Sequence, residues 1–211
     1  CSLPRGQQTF SLMKKYAKNQ ARNEASPHKP QAWPAVPSRP ALLDAVHCRF
    51  GKWQLKWDNI QDRRIQEQRA KLIAIAISQV GVREQTGQND GQAVTTYLNY
   101  VQLKKGNPWC AAFVSWVFGQ AGFTSPKTGW SPALFPLNKQ TLNVQPATVF
   151  GIYFPMQKRI AHVGLVQQIS GNYLLTIEGN TNDKGSRAGD GVYRKRRHLK
   201  TIKVYADWLG K

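Results

Sequence analysis

Residues 107–123 read NPWCAAFVSWVFGQAGF. A helix built from this stretch is apolar almost all round, so it has to lie inside the protein with other elements covering it. Asn107 suits an N-cap and Pro108 a first helical residue, which predicts a helix from about Pro108 to Gln120 ending near Gly122. Upstream, Leu72, Ile73, Ala76, Ile77 and Val80 recur at helical spacing until Gly81. Asp58 suits the cap of that helix. A short helix over Ala93–Val101 places Val94, Tyr97, Leu98 and Val101 on one side. Downstream the period changes. Val149–Phe154, His162–Ile169, Tyr173–Glu178, Gly191–Arg196 and Thr201–Tyr205 read as strands. Helices first and an antiparallel sheet after them define an α+β chain.

The 211 residues suit one domain with an arm. Five prolines in residues 26–40 exclude regular helix and predict an extended connector, with Trp33 clipping it to the body. The expected division is a basic arm over 1–69, with a short helical segment, and a folded domain over 70–211. A chain that starts Cys1-Ser2 resembles a processed bacterial lipoprotein, with lipid on Cys1 and a polar tether after it; an arbitrary boundary is the alternative. No apolar run reaches the roughly 20 residues of a membrane-spanning helix.

Lys and Arg number 30 against 11 Asp and Glu, a net charge of +19 spread along the whole chain. Such a field draws anionic partners: nucleic acid, anionic lipid, lipopolysaccharide or cell-wall polymer. No helix carries an Arg/Lys stripe suited to a groove and no RNA-binding aromatic signature appears, so specific nucleic-acid binding is not expected. Arg194-Lys195-Arg196-Arg197 is the densest basic run, either a solvent-facing strand end or a contact to an anionic polymer.

Cys110 falls in the first turn of the buried helix. Free N–H groups and the helix dipole favour thiolate there, and the thiolate is the nucleophile. A small core cysteine is the alternative. A hairpin supplies the partners. The odd positions Val163, Leu165, Ile169, Tyr173, Leu175 and Ile177 are apolar and define a core face. A three-residue turn, Ser170-Gly171-Asn172, sets His162 opposite Asn180 with Glu178 diagonal on the same face, within side-chain reach. A thiolate, an imidazole and a polar group that holds the imidazole are what a cysteine hydrolase needs. Trp109, beside the cysteine, is assigned to the substrate groove. Cys48 beside His47 lacks a third group and reads as buried, with a bridge to Cys1 as an option. His28 and His198 read as surface residues. No His/Cys cluster has zinc spacing, and no cofactor is expected.

The strings NPWCAAFVSWVF, AHVGLV and TIEGNTN, in that order, resemble the CHAP domain, the cysteine- and histidine-dependent amidohydrolase/peptidase family. GVYRKRR resembles a bacterial subgroup of it. The resemblance covers about 70–211. It implies a papain-like fold of the NlpC/P60 kind, with the cysteine helix on an antiparallel sheet, and amide bonds of peptidoglycan as substrate. It implies Cys110 as nucleophile, His162 as base, Glu178 as orienting acid and Asn180 as its companion. The Gly-Asp pair that members often carry before the histidine hairpin is absent from QPATVFGIYF, which predicts altered loop geometry. LKKGNP before the cysteine lacks the acids of calcium-binding members, so no metal site is expected. The resulting expectation is an amidase or endopeptidase of the bacterial envelope, periplasmic, lipid-anchored or secreted. The rival is a non-catalytic basic envelope protein that binds anionic wall or outer-membrane polymers.

Overall fold

The computed structural model describes residues 42–183 and 189–210, with side chains described from Asp58 onward. The expectations for Cys1, the 26–40 connector, His28, His47 and Cys48 lie outside the described side chains. The chain divides into two units, Cys1–Arg49 and Phe50–Lys211.

Helix α1 spans Leu42–Ser78, so Asp58 is an interior residue and not the expected cap. No proline interrupts this stretch, and between Gly51 and Ser78 it is rich in Gln, Arg, Leu, Ile and Ala, so nothing stops the helix at Asp58. Leu72 and Ala76 are fully buried. Arg69 is buried too, and donates to the Pro146 carbonyl and to the Asp207 carboxylate. Helix α2 covers Gln92–Tyr100 and buries Val94, Tyr97 and Leu98, the face expected from their spacing.

Helix α3 covers Cys110–Gln120 and buries eight of its eleven residues. It starts two residues later than its sequence suggests, because Asn107 does not cap it. The Asn107 side chain donates to the Lys104 carbonyl at 2.9 Å inside the preceding turn. Trp109 takes the cap position without a side-chain cap bond. Cys110 is therefore the first helical residue.

Five antiparallel strands form one sheet: β1 (Val149–Phe154), β2 (Arg159–Ser170), β3 (Tyr173–Thr181), β4 (Gly191–His198) and β5 (Val204–Ala206), in the order β4-β3-β2-β1-β5. The fold is thus α+β. Ser170 pairs with Tyr173, so the β2–β3 turn has two residues, Gly171-Asn172, and not the expected three. Gly171 takes the left-handed conformation, φ 55°, that such a tight turn demands. A bulge at Gln167 then restores the expected register, and Leu165 pairs with Ile177.

The bulge also moves Ile169 to the other face, where it pairs with Leu174 and is 43% exposed. The expectation of a single odd-numbered core face is corrected accordingly. Val163, Leu165 and Ile177 do join the helices in the main core. The opposite face buries Phe150, Val166 and Leu174 in a second cluster, under Val144, Ile152, Leu199, Ile202 and Tyr205. Val144, Leu199 and Ile202 come from the segments between α3 and β1 and between β4 and β5, and Ile152 and Tyr205 from β1 and β5 themselves.

Candidate active site

The start of α3 and the first half of β2 bring a thiol to an imidazole. Cys110 is 5% exposed, and its Sγ lies 3.5 Å from Ser131 Oγ and 4.0 Å from the Ala161 carbonyl oxygen. Ser131 opens a 3-10 turn, Ser131–Leu134. The β1–β2 register slips at Ala161: Ile152 pairs with His162 but Tyr153 pairs with Ile160. A bulge of this kind re-aims the neighbouring side chains. It falls immediately before His162.

His162 Nε2 lies 2.7 Å from Glu178 Oε2. That leaves Nδ1 as the ring nitrogen free for the thiol, with which the imidazole forms a further polar interaction. Glu178 is fully buried and all its acceptor sites face donors. Oε1 accepts from Thr176 Oγ1 at 2.6 Å and from Arg197 Nε at 2.9 Å. Oε2 accepts from Arg197 Nη2 at 2.6 Å besides the histidine. Gly164 makes room for this acid. A Cβ there would stand 2.8 Å from Glu178 Cγ and 2.9 Å from the Ile177 carbonyl.

The electrostatics follow from burial and pairing. Burial pushes the Cys110 thiol up, but the imidazole of His162, the Ser131 hydroxyl and the Val163 backbone outweigh it, and the thiol ends below its ordinary value. Burial pushes His162 down, yet Cys110 and Glu178 outweigh it and raise the ring to about 9. Burial alone would raise Glu178, and the Arg197 fork and His162 instead hold it down to about 2. Both shifts favour thiolate beside imidazolium, backed by a carboxylate.

Three adjoining hollows run past this centre. The middle one, about 200 Å³, is lined by both Cys110 and His162, with Asn180 beside them. One flank, about 370 Å³, holds Cys110, Trp130, Ser131 and Arg159. The other, about 410 Å³, holds His162, Asn180, Lys195 and Arg197. The structure thus brings Cys110, His162 and Asn180 to one cleft, with Glu178 buried behind the imidazole. Glu178 is the group bonded to the imidazole; Asn180, at a left-handed φ of 53°, is a wall of the cleft.

Trp109 is a correction. It is fully buried, donates Nε1 to Glu84 Oε1 at 2.8 Å and packs on Tyr97 and Phe113. Its ring lies beneath Gly179 in the core, out of the groove. The exposed tryptophan at the cleft is Trp130, which sequence reasoning passed over. The basic run is divided by the two-residue period of β4. Arg194 and Arg196 are exposed, while Lys195 and Arg197 turn inward to Asp183 and Glu178. Arg197 and Ser131 were also missed. The available signal for Arg197 was an acid on a sheet face with no basic residue near it in sequence; the β3–β4 register that answers it is set by a long connection. Within QPATVFGIYF, Ala147 adopts a left-handed φ of 67° and Thr148 Oγ1 accepts from the Gln145 N–H at 3.0 Å.

Among the described residues no group of three His, Cys, Asp or Glu side chains is placed to hold a metal ion. No described helix is long and apolar enough to cross a membrane.

No family model matches the chain, and no curated protein matches it. Two solved structures do: the crystal structure of Ly7917, with a TM-score of 0.39, and the crystal structure of Ly7917 with the hydrolyzing product of MDP, with a TM-score of 0.38. Each is 17% identical and covers 65% of this chain. The match takes in 60% and 61% of those chains, so this chain spans about three-fifths of their length.

Proposed function

We propose that the protein is a cysteine-dependent hydrolase of amide bonds in bacterial peptidoglycan, an amidase or endopeptidase of the CHAP type with a papain-like fold, acting in the cell envelope. One observation carries the reading: a cysteine at the start of a buried helix meets a histidine whose far nitrogen is bonded at 2.7 Å to a buried carboxylate. The resemblance of PWCAAFV, HVGLV and EGNTN to that family supports the substrate class.

In this mechanism Cys110 Sγ attacks the amide carbonyl carbon, and the oxygen takes up the negative charge. The Cys110 backbone N–H, free at the helix start, is the donor aimed at that oxyanion. The imidazolium of His162 gives its Nδ1 proton to the nitrogen as the C–N bond breaks, and the amine leaves. A thioester remains. Water attacks it, His162 takes the water proton, and the acid departs with the thiolate restored. Glu178 keeps the ring oriented and favours its charged form throughout.

The test is digestion of purified peptidoglycan, with released fragments identified by mass spectrometry. The wild-type protein should release fragments with new amine and carboxyl ends, and Cys110→Ala should release none. A Cys110→Ala protein as active as the parent would refute the assignment. Inertness of wild-type Cys110 to iodoacetamide near neutral pH would favour the rival reading of a basic polymer-binding protein.

A further inference from the structure

We propose that Arg159, laid on the ring of Trp130, is a subsite for a substrate carboxylate next to the scissile amide. The inference rests on the hydrolase reading and narrows its substrate to amides flanked by a free carboxylate.

Among the described residues three basic side chains line the cleft: Arg159, Lys195 and Arg197. Two are already engaged. Lys195 Nζ donates to the Asn182 carbonyl at 2.7 Å and to Asp183 at 3.1 Å. Arg197 is closed on Glu178. Arg159 differs from both. Its Nη1 donates to the neighbouring Ile160 carbonyl at 3.0 Å, and among the described residues no carboxylate pairs with it. Among the described residues no Asp or Glu lines any of the three hollows. A guanidinium in such a wall still has edge donors to offer, and a carboxylate matches them two at a time.

Trp130 sets the geometry. The Arg159 guanidinium carbon lies 4.4 Å from the centre of its ring. Stacking of this kind holds the plane of the cation while leaving its edge open. The platform itself is tied down. The Trp130 N–H donates to Thr128 Oγ1 at 3.0 Å, and Ser115, within α3, bonds both the N–H and the carbonyl of Thr128. Trp130 precedes Ser131, which touches the Cys110 thiol, and Arg159 stands three residues before His162 on β2. The pair therefore sits on the cysteine side of the cleft, and both residues line a hollow that Cys110 also lines. An anion held there lies beside the carbonyl under attack. The recognition is pre-organised, since neither side chain has to abandon another carboxylate to make it.

The experiment uses Cys110→Ala full-length protein, which does not turn over its ligand, and isothermal calorimetry. The probes are the peptide acetyl-L-alanyl-γ-D-glutamyl-L-lysine amide and the same peptide with its glutamate α-carboxylate converted to carboxamide. The carboxylate peptide should bind at least tenfold more tightly. Adding Arg159→Met should abolish the difference, and adding Arg159→Lys should keep part of it, with melting curves confirming that both double variants are folded. Equal affinity for the two peptides, no binding of either, or a preference that survives Arg159→Met would overturn the proposal. Failure of the hydrolase reading is seen separately, as wild-type protein leaving the wall intact, and does not alter the affinity ratio.

Discussion

Arg197 closes on Glu178 like a fork, with Nε on one carboxylate oxygen at 2.9 Å and Nη2 on the other at 2.6 Å. Its Cα stands opposite Leu174, four residues before the acid on β3, so the long side chain reaches along the sheet to do this. The pair keeps a fully buried carboxylate ionised behind the histidine. Arg197→Met should leave that charge without its main partner and cost about 3 kcal/mol of stability, the range for breaking one side of a buried pair. Peptidoglycan hydrolysis should fall at least tenfold, about 1.4 kcal/mol of transition-state stabilisation. Arg197→Lys, which keeps the charge but not the fork, should recover part of both. Urea unfolding and hydrolysis rates measured side by side check this.

Cys110 and His162 titrate as a pair. The thiol lies below its ordinary value and the ring is raised to about 9, and both shifts favour the ion pair. Alkylation by iodoacetamide should remain fast well below the pH at which a free cysteine slows. In His162→Ala the thiol loses the partner that lowers it, and the rate at pH 6.5 should drop at least tenfold. Hydrolysis should decline on the alkaline side near pH 9, as the imidazolium loses the proton it must give to the leaving amine. Rates of both reactions from pH 5 to 10 test these points.

Glu178 links the site to acid stability. Its carboxyl is held down to about 2 in the folded protein, against an ordinary value of 4.5. The unfolded chain therefore takes up this proton first as pH falls. The stabilisation is complete above about pH 5 and is lost progressively as pH drops from 4.5 towards 2. Glu178→Gln removes that titration. Its stability should start lower at pH 6 and decline less steeply between pH 4.5 and 3 than that of the wild type, as measured by urea midpoints.

Gly164 is where β2 yields space to Glu178. An alanine methyl would meet the Ile177 carbonyl and Phe150 Cε1, both at 2.9 Å, besides Glu178. Since a backbone atom is among these, the strand itself has to move. Gly164→Ala should cost about 1–3 kcal/mol, the usual penalty for overpacking. It should also slow Cys110 alkylation, because Glu178 is displaced from the ring it holds. A thermal melt and an alkylation time course are sufficient.

Elements with a strong local signature were readable along the chain. β1 runs over the residues its apolar pattern marks, Val149–Phe154. Val94, Tyr97 and Leu98 turn inward as their spacing requires. Cys110, His162 and Glu178 were legible for the same reason, since a helix start and a period-two hairpin are short-range features. The hairpin also shows how local reasoning can reach the right register by the wrong turn. A two-residue loop shifts the pairing by one, and the bulge at Gln167 shifts it back before the strand reaches Leu165.

Periodicity could not decide which neighbours fill the space around those residues. Trp109 and Trp130 are both tryptophans near the cysteine, yet one is sealed in the core by Glu84, Tyr97 and Phe113 and the other stands open under Arg159. Arg197 and Ser131 reach the site through long connections whose path depends on the whole packing. The order of residues alone marked where helices and strands lie and brought Cys110, His162 and Glu178 forward as candidates, because backbone propensity and side-chain period act over a few residues. Tertiary structure decided the carboxylate's cation, the thiol's hydroxyl neighbour and the open aromatic wall. Those depend on strand register and loop paths set by burial across the whole sheet, a cooperative outcome that no short stretch of chain contains.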